Sequence, residues 1–148
     1  GFIEKTLQMN RDHEGEELLI LFADLDHLKE INDSFGHIEG DFSIRHCAEV
    51  LKKVVGADGI VGRIGGDEFC VVTLGNLKDG QQIIERIREE SDAFNCTSDK
   101  EYYVELSAGC TSVICRNGLV IADALREADR ALYEVKKLRR NSVKKIRL

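Results

Sequence analysis

The run Ile60-Val61-Gly62-Arg63-Ile64-Gly65-Gly66-Asp67-Glu68-Phe69-Cys70-Val71-Val72-Thr73-Leu74 holds two strand-prone segments, Ile60 to Ile64 and Glu68 to Leu74. Gly65-Gly66-Asp67 separates them, and glycine supplies the positive φ angles that tight hairpin turns demand. The run therefore predicts a β-hairpin, and with it an antiparallel sheet. Upstream, Leu18 to Asp24 reads as a strand that is apolar on both faces, which fits a central strand covered by helices on either side.

The segments around these strands supply the helices. Residues 2 to 11 read as a short amphipathic helix, followed by a polar loop from Asp12 to Glu17. Asp26 to Phe35 predicts a short helix stopped by Gly36. Glu39 to Val55 predicts a longer one, with Ile44, Cys47, Ala48, Leu51, Val54 and Val55 at helical spacing and Gly56 as its stop. Asp79 to Phe94 is a further helix. Tyr102 to Leu106 and Cys110 to Cys115 read as two strands bracketing Gly109. Ile121 to Leu138 carries a continuous apolar stripe of Ile121, Ala124, Leu125, Ala128, Ala131, Leu132, Val135 and Leu138, and a last short strand is expected at Val143 to Ile146. The expected fold class is α/β in the broad sense (α+β), a central, mainly antiparallel sheet flanked by helices.

The chain has 148 residues, 43% of them hydrophobic, enough for one domain with its own core and too short for two ordinary ones. The longest uninterrupted apolar run, Leu18 to Ala23, falls well short of the roughly 20 residues a bilayer-spanning helix requires. The chain opens Gly1-Phe2-Ile3, with neither an initiator methionine nor a basic, apolar leader, so it is expected to be a piece of a longer protein. Five cysteines, at 47, 70, 96, 110 and 115, form an odd set without a C-x-x-C pair. They are expected to be reduced, mostly buried thiols in a cytoplasmic domain.

The net charge of −6 is unevenly spread. Lys136, Lys137, Arg139, Arg140, Lys144, Lys145 and Arg147 crowd the twelve residues from Lys136 to Arg147 without one acid between them, and the rest of the chain is strongly acidic. Such a body would repel a phosphate backbone over most of its surface, which argues against a general nucleic-acid binder. A small, highly charged phosphate ligand is compatible with it.

Asp24-Leu25-Asp26 lies where the first strand runs out, and period-two geometry puts both carboxylates on one side. Asp67 and Glu68, at the hairpin tip, bring two more. Mg²⁺ takes oxygen ligands and is usually held by one or two carboxylates together with substrate phosphates. Each fragment alone has an ordinary explanation, Asp26 as a helix cap and Asp67-Glu68 as solvated turn acids.

The combination is another matter. Asp24-Leu25-Asp26-His27-Leu28-Lys29-Glu30-Ile31-Asn32-Asp33, then Gly36-His37, Gly40-Asp41, Arg63-Ile64-Gly65-Gly66-Asp67-Glu68-Phe69 and Ala128-Asp129-Arg130-Ala131-Leu132-Tyr133 through Lys136 closely resemble the GGDEF family of diguanylate cyclases. The resemblance runs from Phe2 to Asn141. It implies a palm-like sheet similar to that of nucleotide cyclases and polymerases, and a reaction that joins two GTP molecules into cyclic di-GMP with release of two pyrophosphates. It also implies Mg²⁺ or Mn²⁺ as cofactor, held by Asp24, Asp67 and the Leu25 carbonyl, with Asp67 and Glu68 as the catalytic acids, either of which could be the base.

By the same resemblance, Asn32 and Asp41 read guanine. A carboxylate accepts from the guanine N1–H and exocyclic amine, which adenine does not offer in that arrangement. His37 supports that pocket. Lys29, Gly66, Lys136, Arg140 and the backbone near His27 and Leu28 grip the triphosphate. The implied partners are GTP, a second GGDEF domain as a transient homodimer, and a sensory domain upstream in the parent; neither nucleic acid nor a membrane is expected to contact this domain itself. Intact acids at 24, 67 and 68 favour an active enzyme over the alternative, a catalytically silent module that binds GTP or mediates regulatory dimerisation.

Two features depart from the family pattern. An Arg-x-x-Asp product-inhibition site is replaced by Gly56 and Gly59, and Arg139 stands where a glycine is usual before Arg140-Asn141.

Overall fold

Nine residues from Glu17 to Leu25 form β1, the strand around which the rest is arranged. The computed structural model describes residues 1–147, with side chains described through Arg139. In chain order the elements are α1 (Phe2–Asp12), β1 (Glu17–Leu25), α2 (Leu28–Phe35), α3 (His37–Val55), β2 (Ile60–Arg63), β3 (Glu68–Leu74), α4 (Leu77–Thr97), β4 (Leu106–Ile114) and α5 (Ile121–Arg147). The four strands form one sheet in the order β2-β3-β1-β4, and all three pairings are antiparallel.

β1 is central because both of its faces are apolar. Leu18, Leu19, Ile20 and Leu21 are each at most 1% exposed, and burying one such side chain contributes about 1.5–3 kcal/mol. Alternation then sends the side chains to two cores. Leu21, Ala23 and Leu25 join Phe69 and Val71 against Cys47, Val50, Leu51 and Val54 of α3 and Ile87 of α4. Leu18, Ile20 and Phe22 join Cys70 and Val72 against Ala124, Ala128 and Leu132 of α5, with Phe2 and Met9 of α1 alongside. The sheet is thus sandwiched between α3 and α4 on one face and α1 and α5 on the other.

The expected hairpin is present, with Ile60↔Val72 through Arg63↔Phe69 in register. Arg63 braces its turn, donating from Nε to the Gly65 carbonyl (3.1 Å) and from Nη2 to the Gly66 carbonyl (2.8 Å).

Three expectations are corrected. Tyr102 to Leu106 is not a strand: both backbone groups of Val104 are taken by the Asn95 side chain of α4, at 2.9 and 3.0 Å, so they are not free to join the ladder. Gly109 does not break a strand but lies inside β4, where a Cβ would come within 2.4 Å of the Leu132 backbone nitrogen in α5. Glycine is there to let a helix lie directly on the sheet. Val143 to Ile146 falls within α5, not in a separate strand; the acid-free basic run is compatible with helix, and cations are favoured near a helix C-terminus. Smaller shifts move the start of α2 to Leu28 and of α3 to His37, and extend α4 to Thr97.

The cysteines divide by environment. Cys47, Cys70 and Cys115 are buried, Cys110 is partly buried and Cys96 is exposed; all are free. Burial pushes the thiols of Cys47 and Cys70 up to about 12, which keeps them protonated and unreactive. Among the described residues no helix is long and apolar enough to cross a membrane.

Candidate active site

The acids singled out in the sequence converge where β1 meets the hairpin. Asp24 faces Glu68 across the β1–β3 pairing and Ser107 across the β1–β4 pairing. Residues directly opposite on antiparallel strands project to the same face, and here that is the face covered by α5. Asp67 lies in the turn just before β3, half-buried, and its carbonyl accepts a hydrogen bond from the Leu25 backbone N–H at 2.9 Å. The fold thus brings Asp24, Leu25, Asp67 and Glu68 to one sheet end from positions 42 or more residues apart in the chain.

Asp24 is the electrostatic centre. It is 3% exposed; Oδ2 is paired with the Lys136 ammonium, and Oδ1 is buried without a hydrogen-bond partner. A buried carboxylate oxygen without a donor is costly, and a bound cation is one group that would satisfy it. Among the described residues no three His, Cys, Asp or Glu side chains form a metal cage. A hard cation such as Mg²⁺ or Mn²⁺ is usually held by one or two carboxylates together with substrate phosphates, and Asp24, Asp67 and the Leu25 carbonyl are the groups here that could supply the protein's share of such a shell.

Glu68 has its carboxyl raised above the ordinary value, chiefly by burial, then by the negative charges of Asp129 and Asp67. Asp26 is also raised by burial, an effect opposed by the Arg139 charge and the Ser107 hydrogen bond. Arg139 Nη1 lies 2.7 Å from Asp26 Oδ2 and 2.7 Å from Ser107 Oγ, and Nη2 lies 3.3 Å from Glu105 Oε2. The sequence reading passed over Arg139 and Ser107 as members of this network. Arg139 was findable, since it follows Lys136 by three residues and shares its side of the helix; Ser107 was not, because only strand register brings it beside Asp26.

Guanine-reading candidates sit at the corner between α2 and α3. Asn32, half-buried on α2, packs over Gly40, where an added Cβ would fall 1.8 Å from Asn32 Oδ1. Asp41 and His37 are exposed on the first two turns of α3. His27 caps α2 in the left-handed conformation (φ 61°) and makes no side-chain hydrogen bond to the N-terminal amides of that helix, the group expected near the phosphates. Lys29 is exposed and Gly66 lies in the hairpin turn. Lys136, expected on the triphosphate, is seated on Asp24, and the Arg140 side chain falls outside the described residues. Cavities of about 440 and 480 Å³ lie away from these acids, the first lined by Lys5, Asp12 and Asp58, the second by Asn76, Lys78 and Ser112.

Comparison with known proteins identifies the family. Residues 2–142 match the family model described as "Diguanylate cyclase, GGDEF domain". The chain is 34% identical over 130 residues to the probable diguanylate cyclase DgcT of Escherichia coli K12, covering 84% of this chain and 28% of that protein. It is 38% identical over 128 residues to diguanylate cyclase DgcP of the same strain, covering 84% of this chain and 37% of DgcP. It therefore spans little more than a third, or less, of these relatives. The crystal structure of the GGDEF domain of DgcB from Caulobacter crescentus in complex with c-di-GMP superposes with a TM-score of 0.80 at 26% identity, covering 92% of this chain and 82% of that one.

Proposed function

Because the chain belongs to the diguanylate cyclase GGDEF domain family, we propose that it joins two GTP molecules into cyclic di-GMP, releasing two pyrophosphates, with its own pocket holding one of the two substrates. The observation that carries this reading is the buried, unpartnered Oδ1 of Asp24 beside the hairpin acids.

In this reading Asp24, Asp67 and the Leu25 carbonyl hold Mg²⁺ or Mn²⁺. When bound, the ion neutralises the triphosphate and polarises the α-phosphate. Lys29, Lys136, Arg140, Gly66 and the amides following His27 and Leu28 bind the phosphates. Asn32 and Asp41 take the guanine edge, with His37 in support. A carboxylate of the Asp67–Glu68 pair accepts the proton from the 3′-hydroxyl of the partner's GTP. Two pockets must face one another, because each 3′-hydroxyl attacks the α-phosphate held by the other domain. A sensory segment in the parent protein would govern that encounter.

The test is to fuse a parallel coiled coil ahead of Gly1, incubate the dimer with GTP and Mg²⁺, and analyse the products by mass spectrometry. Cyclic di-GMP together with pyrophosphate is the expected result. GTP binding without product would instead assign the silent module that binds GTP, and failure to bind GTP would overturn both the cyclase and that module, leaving regulatory dimerisation alone.

A further inference from the structure

We propose that Tyr102, Glu39 and Lys100 form a clasp that sets the angle between α2 and α3, making Tyr102 a positioning residue for nucleotide selectivity; this rests on the assignment of Asn32 and Asp41 to guanine.

The two candidate base readers are on different helices, and a single residue separates those helices. α2 ends at Phe35 and α3 begins at His37, with Gly36 between them at φ 91°. Glycine at such a corner supplies the turn but no stiffness. The Gly36 N–H donates to the Asn32 carbonyl at 2.9 Å, and the Asn32 side chain fills the space above Gly40. A change in the corner angle therefore moves Asn32 against Asp41.

The segment between α4 and β4 grips both sides of that corner. On the α2 side, the Tyr102 ring lies 5.2 Å from the Phe35 ring, tilted by 40°. On the α3 side, the Tyr102 hydroxyl donates to Glu39 Oε1 at 2.7 Å. Lys100 Nζ lies 2.8 Å from the same Oε1 and 4.5 Å from the centre of the Phe42 ring. The gripping segment is itself anchored, through the reciprocal Asn95–Val104 hydrogen bonds and a bond from the Lys100 N–H to Ser98 Oγ at 3.0 Å. Hydrogen bonds from Lys100 and Tyr102 hold the Glu39 carboxyl below its ordinary value, and Tyr102 is raised above its own by burial and by Glu39. At neutral pH Glu39 is thus an acceptor and Tyr102 a donor.

The test compares Tyr102→Phe, which keeps the ring on Phe35 and removes the hydroxyl, with Glu39→Gln, which removes the charge that Lys100 pairs with. Affinities of the full chain for the α,β-methylene analogues of GTP and ATP are measured by calorimetry with Mg²⁺, alongside thermal unfolding. Each variant should lose roughly three- to tenfold in affinity for the GTP analogue, the loss of one hydrogen bond, with affinity for the ATP analogue unchanged. Lower unfolding temperatures with the GTP-to-ATP ratio intact would make the clasp purely structural and overturn the proposal. Asp41→Ala, run in parallel, separates the premises. If it leaves the ratio intact, guanine is read elsewhere and the clasp proposal falls with that reading; if it collapses the ratio while both clasp variants preserve it, the clasp alone is wrong. Should Tyr102→Phe fail to fold, Glu39→Gln decides.

Discussion

Asp67 sits half-buried in a turn, with its backbone on Leu25 and its side chain at the edge of the carboxylate group. Asparagine preserves its shape and removes the charge. Asp67→Asn should lower cyclic di-GMP formation by at least about a hundredfold, since even groups one layer outside a metal cost 10–100-fold when changed. Its thermal unfolding should match the parent's. Product formation near the parental rate would remove Asp67 from the site. His46 offers a residue-scale prediction about stability. Its ring lies 4.0 Å from Phe94 and stacks on Phe42, and its Nε2 is buried without a partner. Burial lowers its pKa, against the charges of Glu49 and Glu90, which act to raise it. The unfolded chain therefore binds the proton first, and stability falls as pH drops through the ordinary histidine range and below. Urea titrations across that range should show the decline, and His46→Leu should flatten it. An unchanged slope in His46→Leu would assign the pH dependence to other groups.

At the scale of elements, the approach of α5 to β4 is set by Gly109. A Cβ there would meet the backbone of Ala131 and Leu132 at 2.4 to 2.8 Å, and backbone cannot swing aside as a long side chain can. Gly109→Ala should therefore push α5 off the sheet and destabilise the fold by about 1–3 kcal/mol or more, read as a lower urea midpoint. Because α5 carries Lys136 and Arg139, the two cations seated on Asp24 and Asp26, the same change should also weaken nucleotide binding. A midpoint equal to the parent's would mean that the helix accommodates the methyl without moving. Element existence and type were largely legible here: the hairpin, the central strand and five helices follow from glycine placement and apolar periodicity. The exceptions are Tyr102 to Leu106, where a side-chain amide took hydrogen bonds a strand needs and a pattern of apolar residues carries no trace of that, and Val143 to Ile146, which continues α5.

For the whole molecule, the proposed reaction makes a product with two phosphodiester links, and with one nucleotide pocket in each domain, as proposed above, it requires two copies to meet. Specific activity should rise with protein concentration, and the coiled-coil fusion should raise it at low concentration by increasing the effective concentration of the second domain. Sedimentation run beside the dilution series checks this; flat activity from a protein that stays monomeric throughout would contradict a reaction shared between facing domains.

What the amino-acid sequence determined by itself was the set of local choices: strands where apolar runs meet turn glycines, helices where apolar residues recur at 3.6, and a roster of acids and bases recognisable by their spacing as a family pattern. Those follow from interactions among residues close in the chain. The tertiary structure decided which charges neutralise one another. Lys136 on Asp24, Arg139 between Asp26 and Glu105, and Tyr102 with Lys100 on Glu39 join residues between 34 and 113 positions apart. Such pairs are invisible to periodicity because they are created by strand register and by the way helices seat on the sheet, and the buried, unpartnered oxygen of Asp24 exists only once that packing has excluded water from around it.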